Sequence, residues 1–144
     1  MRINGEWYAC EDGIVRPVLR GEIFAADGSW VQALFLVDTG ADCTAFSASI
    51  LAALGFRPSA TGERFGGIGG IADTVAVETR IQLASEDSGM VVFRGRYVAF
   101  TQLEALDMSI IGRDILQLFA VIVDQPAGVV GMIRDRHRYT IEQV

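Results

Sequence analysis

Apolar and polar positions alternate along most of the chain with a period of two, the pattern of strands that turn one face to a core. The clearest run is TVAVETRIQLA (residues 74–84), in which Val75, Val77, Thr79, Ile81 and Leu83 share one face. MVVFRGRYVAF (residues 90–100) follows after the turn SEDSG and reads as the next strand. Earlier, IVRPVLRGEIF (residues 14–24) and WVQALFLV (residues 30–37) flank AADGS, where Asp27-Gly28 signals a hairpin because both residues tolerate positive φ. FAVIVD and GVVGMI predict a late hairpin around QPAG. Two stretches break the period. SASILAALGF predicts a short helix with Ser47 as candidate N-cap and Gly55 as candidate stop. RDILQLF (residues 113–119) predicts a second helix after a tight apolar-apolar-glycine turn. The expected architecture is mainly β with one or two short helices. No linker, repeat or low-complexity tract divides residues 1–144, so a single domain is expected.

Composition narrows the function classes. Of 144 residues, 51% are apolar, enough for a dense core, and the net charge is −6 with scattered arginines, which argues against a phosphate backbone as partner. The two cysteines, Cys10 and Cys43, form no Cys-x-x-Cys pair, and a reducing compartment is the expectation. Cys43 reads as a small packing residue. The single histidine, His137, lies in a charged run and reads as a solvated tail residue; any Ser/His/Asp or Cys/His triad would need that one ring. No acidic cluster with ligand spacing suggests a metal, and no cofactor is implied. The N-terminal MRINGEWYAC lacks the apolar run of a signal peptide, and no stretch approaches the length of a membrane span. The expectation is a soluble, cytoplasmic protein with no membrane partner.

Three stretches carry candidate chemistry. In FLVDTGADCT (residues 35–44), an apolar strand reads as buried and delivers Asp38 to a low-dielectric place, where a lone carboxylate is costly. Either Asp38 is a hydrogen-bonded turn residue or it is held there for work. Gly40 lets its amide approach a carboxylate, and Thr39 offers a hydroxyl to tie the loop down. Asp-x-Gly alone is an ordinary turn. In RFGGIGGI (residues 64–71), four glycines flank one isoleucine, which implies mobility or close backbone approach to a ligand. A dinucleotide fingerprint fits the letters loosely but not the context, since no apolar strand precedes it and no helix follows. A hairpin tip fits better, either as a plain flexible turn or as a flap over an extended ligand. In SIIGRDIL (residues 109–116), Arg113 is either solvated or paired with an acid, with Asp42 the obvious candidate.

Together, in this order, the three stretches resemble the retropepsin family of aspartic proteases, in the manner of its cellular and bacterial homologues. The family's Leu-hydrophobic-Asp-Thr-Gly-Ala-Asp-x-Thr matches Leu36 to Thr44, its Gly-Gly-Ile-Gly-Gly flap tip matches Gly66 to Gly70, and its Ile-Ile-Gly-Arg matches Ile110 to Arg113. An early Arg-Pro reappears as Arg16-Pro17. The resemblance covers about residues 16–118 and implies a closed acid-protease β-barrel acting as a homodimeric endopeptidase. Asp38, with Thr39 and Gly40, would be catalytic, facing its symmetry mate across a two-fold axis. Gly40, Ala41, Asp42, Gly66, Gly67, Ile68 and Gly69 would bind a peptide substrate. Asp42 would pair with Arg113 of its own subunit and Arg16 of the partner. The Asp-Ser-Gly at residues 87–89 follows no apolar strand and reads as a turn, leaving one catalytic aspartate per chain. The alternative is a catalytically silent peptide-binding or dimerisation module on the same fold. In retroviral members the chain ends interleave to make the dimer. Here an added hairpin (residues 119–133), a tail and extra N-terminal residues depart from that pattern.

Overall fold

The computed structural model of the chain describes residues 1–57, 60–67, 70–134 and 142–143, and for residues 60–67 and 70–72 only the backbone. The chain runs β1 (Arg2–Asn4), β2 (Glu6–Ala9), β3 (Val15–Phe24), β4 (Trp30–Val37), β5 (Ala45–Phe46), α1 (Ala48–Leu54), β6 (Ala60–Gly67), β7 (Gly70–Ala84) and β8 (Met90–Phe100). A single turn of 3-10 helix at Leu103–Ala105 leads to β9 (Ser109–Ile111), α2 (Arg113–Leu116), β10 (Ala120–Asp124) and β11 (Val129–Ile133).

Eight strands form one sheet in the order β2-β3-β4-β9-β5-β8-β7-β6, and β3 also pairs with β7. That second pairing covers Gly21↔Leu83, Glu22↔Gln82 and Ile23↔Ile81, and it bends the sheet back on itself. The fold is therefore of the expected mainly β class, but the sheet is not a strict barrel: closure is confined to this short ladder, and a separate sheet, β1-β11-β10, stands beside it. Gly21 marks the closure. A Cβ there would lie 2.6 Å from Leu83 Cδ2 and 3.1 Å from the Gln82 carbonyl.

The two-residue period holds where the strands face inward. Val77, Thr79, Ile81 and Leu83 of β7 are buried, as are Ala33, Phe35 and Val37 of β4. Leu34 and Leu36 are only half-buried, so β4 has one core face rather than the two its apolar letters suggested. The core centres on an aromatic chain in which Phe46 lies 6.4 Å from Phe35 and 5.4 Å from Tyr97, ring centre to ring centre.

Both helices begin where expected. The Ser47 hydroxyl accepts from the Ile50 amide at 3.4 Å, and Gly55 closes α1 in the left-handed conformation (φ 69°). The second helix stops at Leu116, short of the expected Phe119, because the amides of Leu118 and Phe119 reach back only three residues, to the carbonyls of Ile115 and Leu116, before the chain enters β10. At Asp27-Gly28, only the glycine takes positive φ; Asp27 instead accepts from the backbone amide and hydroxyl of Ser29. The turn at residues 87–89 is a hairpin tip between β7 and β8, closed by the Ser85 amide donating to the Gly89 carbonyl. Among the described residues no helix is long and apolar enough to cross a membrane.

The sequence pattern missed β1 and β2, which are too short to show a period. They matter because β1 pairs with β11 of the same chain (Ile3↔Met132), and Ile3, Val130 and Met132 enter the core. The Trp7 indole N–H lies 3.2 Å from the Asp124 carbonyl and 3.3 Å from the Val129 carbonyl, tying β2 to the late hairpin.

Candidate active site

Strand β4 ends at Val37, and a parallel ladder to β9 (Phe35↔Ser109, Leu36↔Ile110, Val37↔Ile111) carries it to the next residue. There the Asp38 amide donates to the Ile111 carbonyl at 3.2 Å, so the aspartate starts from a fixed backbone position. The loop then turns sharply: the Ala41 amide donates to the Asp38 carbonyl at 3.2 Å, and the Gly40 amide donates to Asp38 Oδ1 at 3.0 Å. The Asp38 side chain is half-buried, while Thr39 and Gly40 are exposed.

The second half of the site is the turn from β9 into α2. The Arg113 amide donates to the Ala41 carbonyl (2.9 Å) and the Asp114 amide to the Asp42 carbonyl (3.2 Å), so the two segments are laced backbone to backbone. The Arg113 guanidinium also donates to the Asp42 carboxylate. Both side chains are largely exposed, so this pair orients more than it stabilises. Gly112 sits at the point of closest approach: a Cβ on it would fall 2.5 Å from the Cys43 carbonyl carbon and 2.6 Å from its oxygen.

Two residues that the sequence reading did not single out hold the lacing together. Thr44, 1% exposed, donates from its hydroxyl to Asp114 Oδ1 at 2.7 Å and accepts from the Gly112 amide at 3.1 Å. The same carboxylate oxygen takes the amides of Thr44 (2.9 Å) and Ile115 (3.0 Å). Asp114 thus satisfies a helix N-terminal amide and a loop at once. The available signal was an acid in the first turn of a short helix that begins just after glycine. Behind it lies Tyr97, whose hydroxyl donates to the Phe93 carbonyl at 2.9 Å. Burial, and then the negative charge of Asp114, push this phenol up to about 12.

The remaining predicted residues lie as follows. Gly66 and Gly67 end β6, which pairs with β7 through Gly66↔Ile71 and Gly67↔Gly70, so this stretch is a hairpin. Ile68 and Gly69 lie outside the described residues, as does His137. Arg16, expected to reach Asp42 of a second copy, is engaged within its own chain: it donates to both carboxylate oxygens of Asp12, at 2.9 and 2.7 Å. That contact holds the Asp12 carboxyl at about 2, below its ordinary 3.8. Cys43, half-buried, and Cys10 are both free of disulfides. Among the described residues no group of His, Cys, Asp and Glu side chains converges in a way that could hold a metal ion.

A laced aspartate loop and glycine turn can hold one carboxylate in a defined direction. The comparisons with known proteins agree with that picture. A family model described as aspartyl protease matches residues 24–115, which include Asp38, the glycine-rich hairpin and Gly112-Arg113. No curated protein gives a significant match. Among solved structures, the chain is similar to EIAV protease complexed with the inhibitor HBY-793, with 26% identity and a TM-score of 0.51 over 71% of this chain and 86% of that one. It is also similar in fold to a retropepsin-like aspartic protease from Rickettsia conorii, with 19% identity and a TM-score of 0.58 over 91% of this chain and 96% of that one. With more than half of its length matched, the chain belongs to the aspartyl protease family, in its retropepsin-like branch.

Proposed function

We propose that the protein is an aspartic endopeptidase whose catalytic centre forms from two Asp38 carboxylates, one from each subunit of a homodimer. The observation that carries this reading is the Asp38 loop: a carboxylate held by its own Gly40 amide and locked to the Gly112 turn by Thr44 and Asp114. A turn that only reversed the chain would need none of that second set of bonds.

In the proposed dimer the two carboxylates share one proton, because like charges in contact cannot both ionise cheaply. One carboxylate draws a proton from a water lying between them. The other, protonated, donates to the scissile carbonyl and later helps protonate the leaving nitrogen. The pair titrates as a unit. Thr39, exposed in the single chain, contacts its mate across the axis. The Gly40 and Ala41 backbone and the Asp42 side chain bind an extended substrate main chain, and Gly66 to Gly69 cover it, adding strand to strand. For Arg16 to reach Asp42 of the partner, it has to leave or share Asp12.

The terminal sheet supports a dimer of a different construction from interleaved chain ends. Here β1 already pairs with β11 of the same chain, and β10 is the outer strand of the set β1-β11-β10. Leu118 and Val123, at 53% and 45% exposure, lie just before and within it. An edge that no strand among the described residues pairs, with exposed apolar residues on or beside it, suits pairing with a second copy.

The test is cleavage of a mixed peptide library by the wild type and by Asp38→Asn, with and without pepstatin. The proposal expects cleavage by the wild type alone, blocked by the inhibitor. Identical patterns from the two proteins, or no cleavage by either, would leave the silent binding module as the reading.

A further inference from the structure

The outer face of β7 and β8 carries an arrangement that the catalytic reading does not use. The register sets Arg80 directly opposite Arg94, with Arg96 two residues further along the same face and opposite Glu78. Like charges directly opposed across strands destabilise a sheet, so the Arg80–Arg94 pair is costly without a use. Arg94 and Arg96 are exposed, and no carboxylate among the described residues forms an ion pair with any of the three. Arg80 is instead held flat, 4.0 Å from the centre of the Phe24 ring and 5.7 Å from that of Trp30. Those contacts fix the guanidinium while leaving its charge unneutralised.

Next to the arginines on β8, Met90 and Val92 are each 50% exposed. Met90 also forms one wall of an open groove of about 370 Å³ over β3, β4 and β7, which Glu22, Gln32, Leu34 and Gln82 help to line. The face therefore presents the exposed apolar Met90 and Val92 beside three arginines, with Glu22 and Glu78 on the same face. β8 pairs with β7 along its whole length and with β5 only at Val98 and Ala99, so beside Arg94 and Arg96 an extended partner can lie against the face or along an edge that no described strand pairs. Trp30 opens β4 and Asp38 follows its end, which puts the Arg80 end of this surface on the order of 25 Å from the candidate catalytic loop along the strand, while the groove reaches Leu34, on the order of 13 Å from it.

We infer that this face is a docking surface for an acidic, partly apolar segment of another protein. Charge complementarity selects the occupant. Residues two apart on a strand lie about 7 Å apart, so Arg94 and Arg96 match carboxylates two apart in an extended peptide. The acidic remainder of the surface repels a long polyanion but not a short segment confined to the patch.

The experiment is fluorescence anisotropy with a short labelled peptide of alternating glutamate and valine. Its glutamine counterpart, an oligothymidylate and vesicles containing phosphatidylserine serve as comparison probes. Wild type should bind the glutamate peptide in a salt-sensitive manner and bind the glutamine peptide at least about tenfold more weakly. The double variant R94E/R96E should lose at least about tenfold in affinity, and R94Q/R96Q should fall between, with circular dichroism unchanged in both. An Asp38→Asn protein should bind like wild type, which keeps this result separate from the catalytic proposal. Failure of wild type to bind the glutamate peptide, equal binding by R94E/R96E, or equally tight binding of the oligothymidylate or vesicles would overturn the inference.

Discussion

At the scale of single residues, the site depends on one glycine and one part-buried polar pair. Gly112 lies against the Cys43 backbone, with 2.5 Å to the nearest atom from where a Cβ would sit, and backbone cannot yield as a side chain can. Gly112→Ala should therefore cost about 2–3 kcal/mol in urea denaturation and abolish any cleavage activity. A loss under about 0.5 kcal/mol would show that the turn can shift. Tyr97 supplies a pH-dependent check on the same region. Its folded pKa is raised from 10.0 to about 12, so its contribution to stability is complete below pH 10.0 and lost as pH rises toward 12. A tyrosinate absorbance titration should show one of the three tyrosines ionising last, and Tyr97→Phe should remove that step. The letters of the candidate site were legible because Asp38, Gly40, Gly112 and Arg113 lie in short motifs. The Thr44–Asp114 lock was not: its partners are 70 positions apart, and neither periodicity nor turn chemistry records such a contact.

At the scale of elements, the long strands were readable because burial on one face enforces the two-residue period. Their bounds at Trp30–Val37 and Met90–Phe100 follow the letters. What the pattern could not show was pairing order, above all the contact of β3 with β7 and the recruitment of β1 to the late hairpin. The second helix was overestimated because Gln117 to Phe119 have helical composition but lie in the exit toward β10. The hairpin itself is pinned by Trp7. Replacing Trp7 with Phe keeps a ring but removes the indole donor shared by the Asp124 and Val129 carbonyls, at a cost of about 1 kcal/mol. Hydrogen exchange should speed up in β10 and β11 more than in β7 and β8. Uniform acceleration across both groups would mean that the hairpin is not a separately secured unit.

At the scale of the whole molecule, one chain supplies one laced aspartate, and the proposed chemistry needs two. The exposed Thr39 and Gly40, the half-buried Asp38 and the edge of β10 that no described strand pairs are features that a second copy would cover. The most direct test is to mix wild type with Asp38→Asn at fixed total concentration, allow the subunits to exchange, and measure peptide cleavage against the wild-type fraction. If both carboxylates act in one centre, activity falls with the square of that fraction, because every mixed dimer is inactive. A linear fall would mean that each chain works alone, and would contradict the shared site.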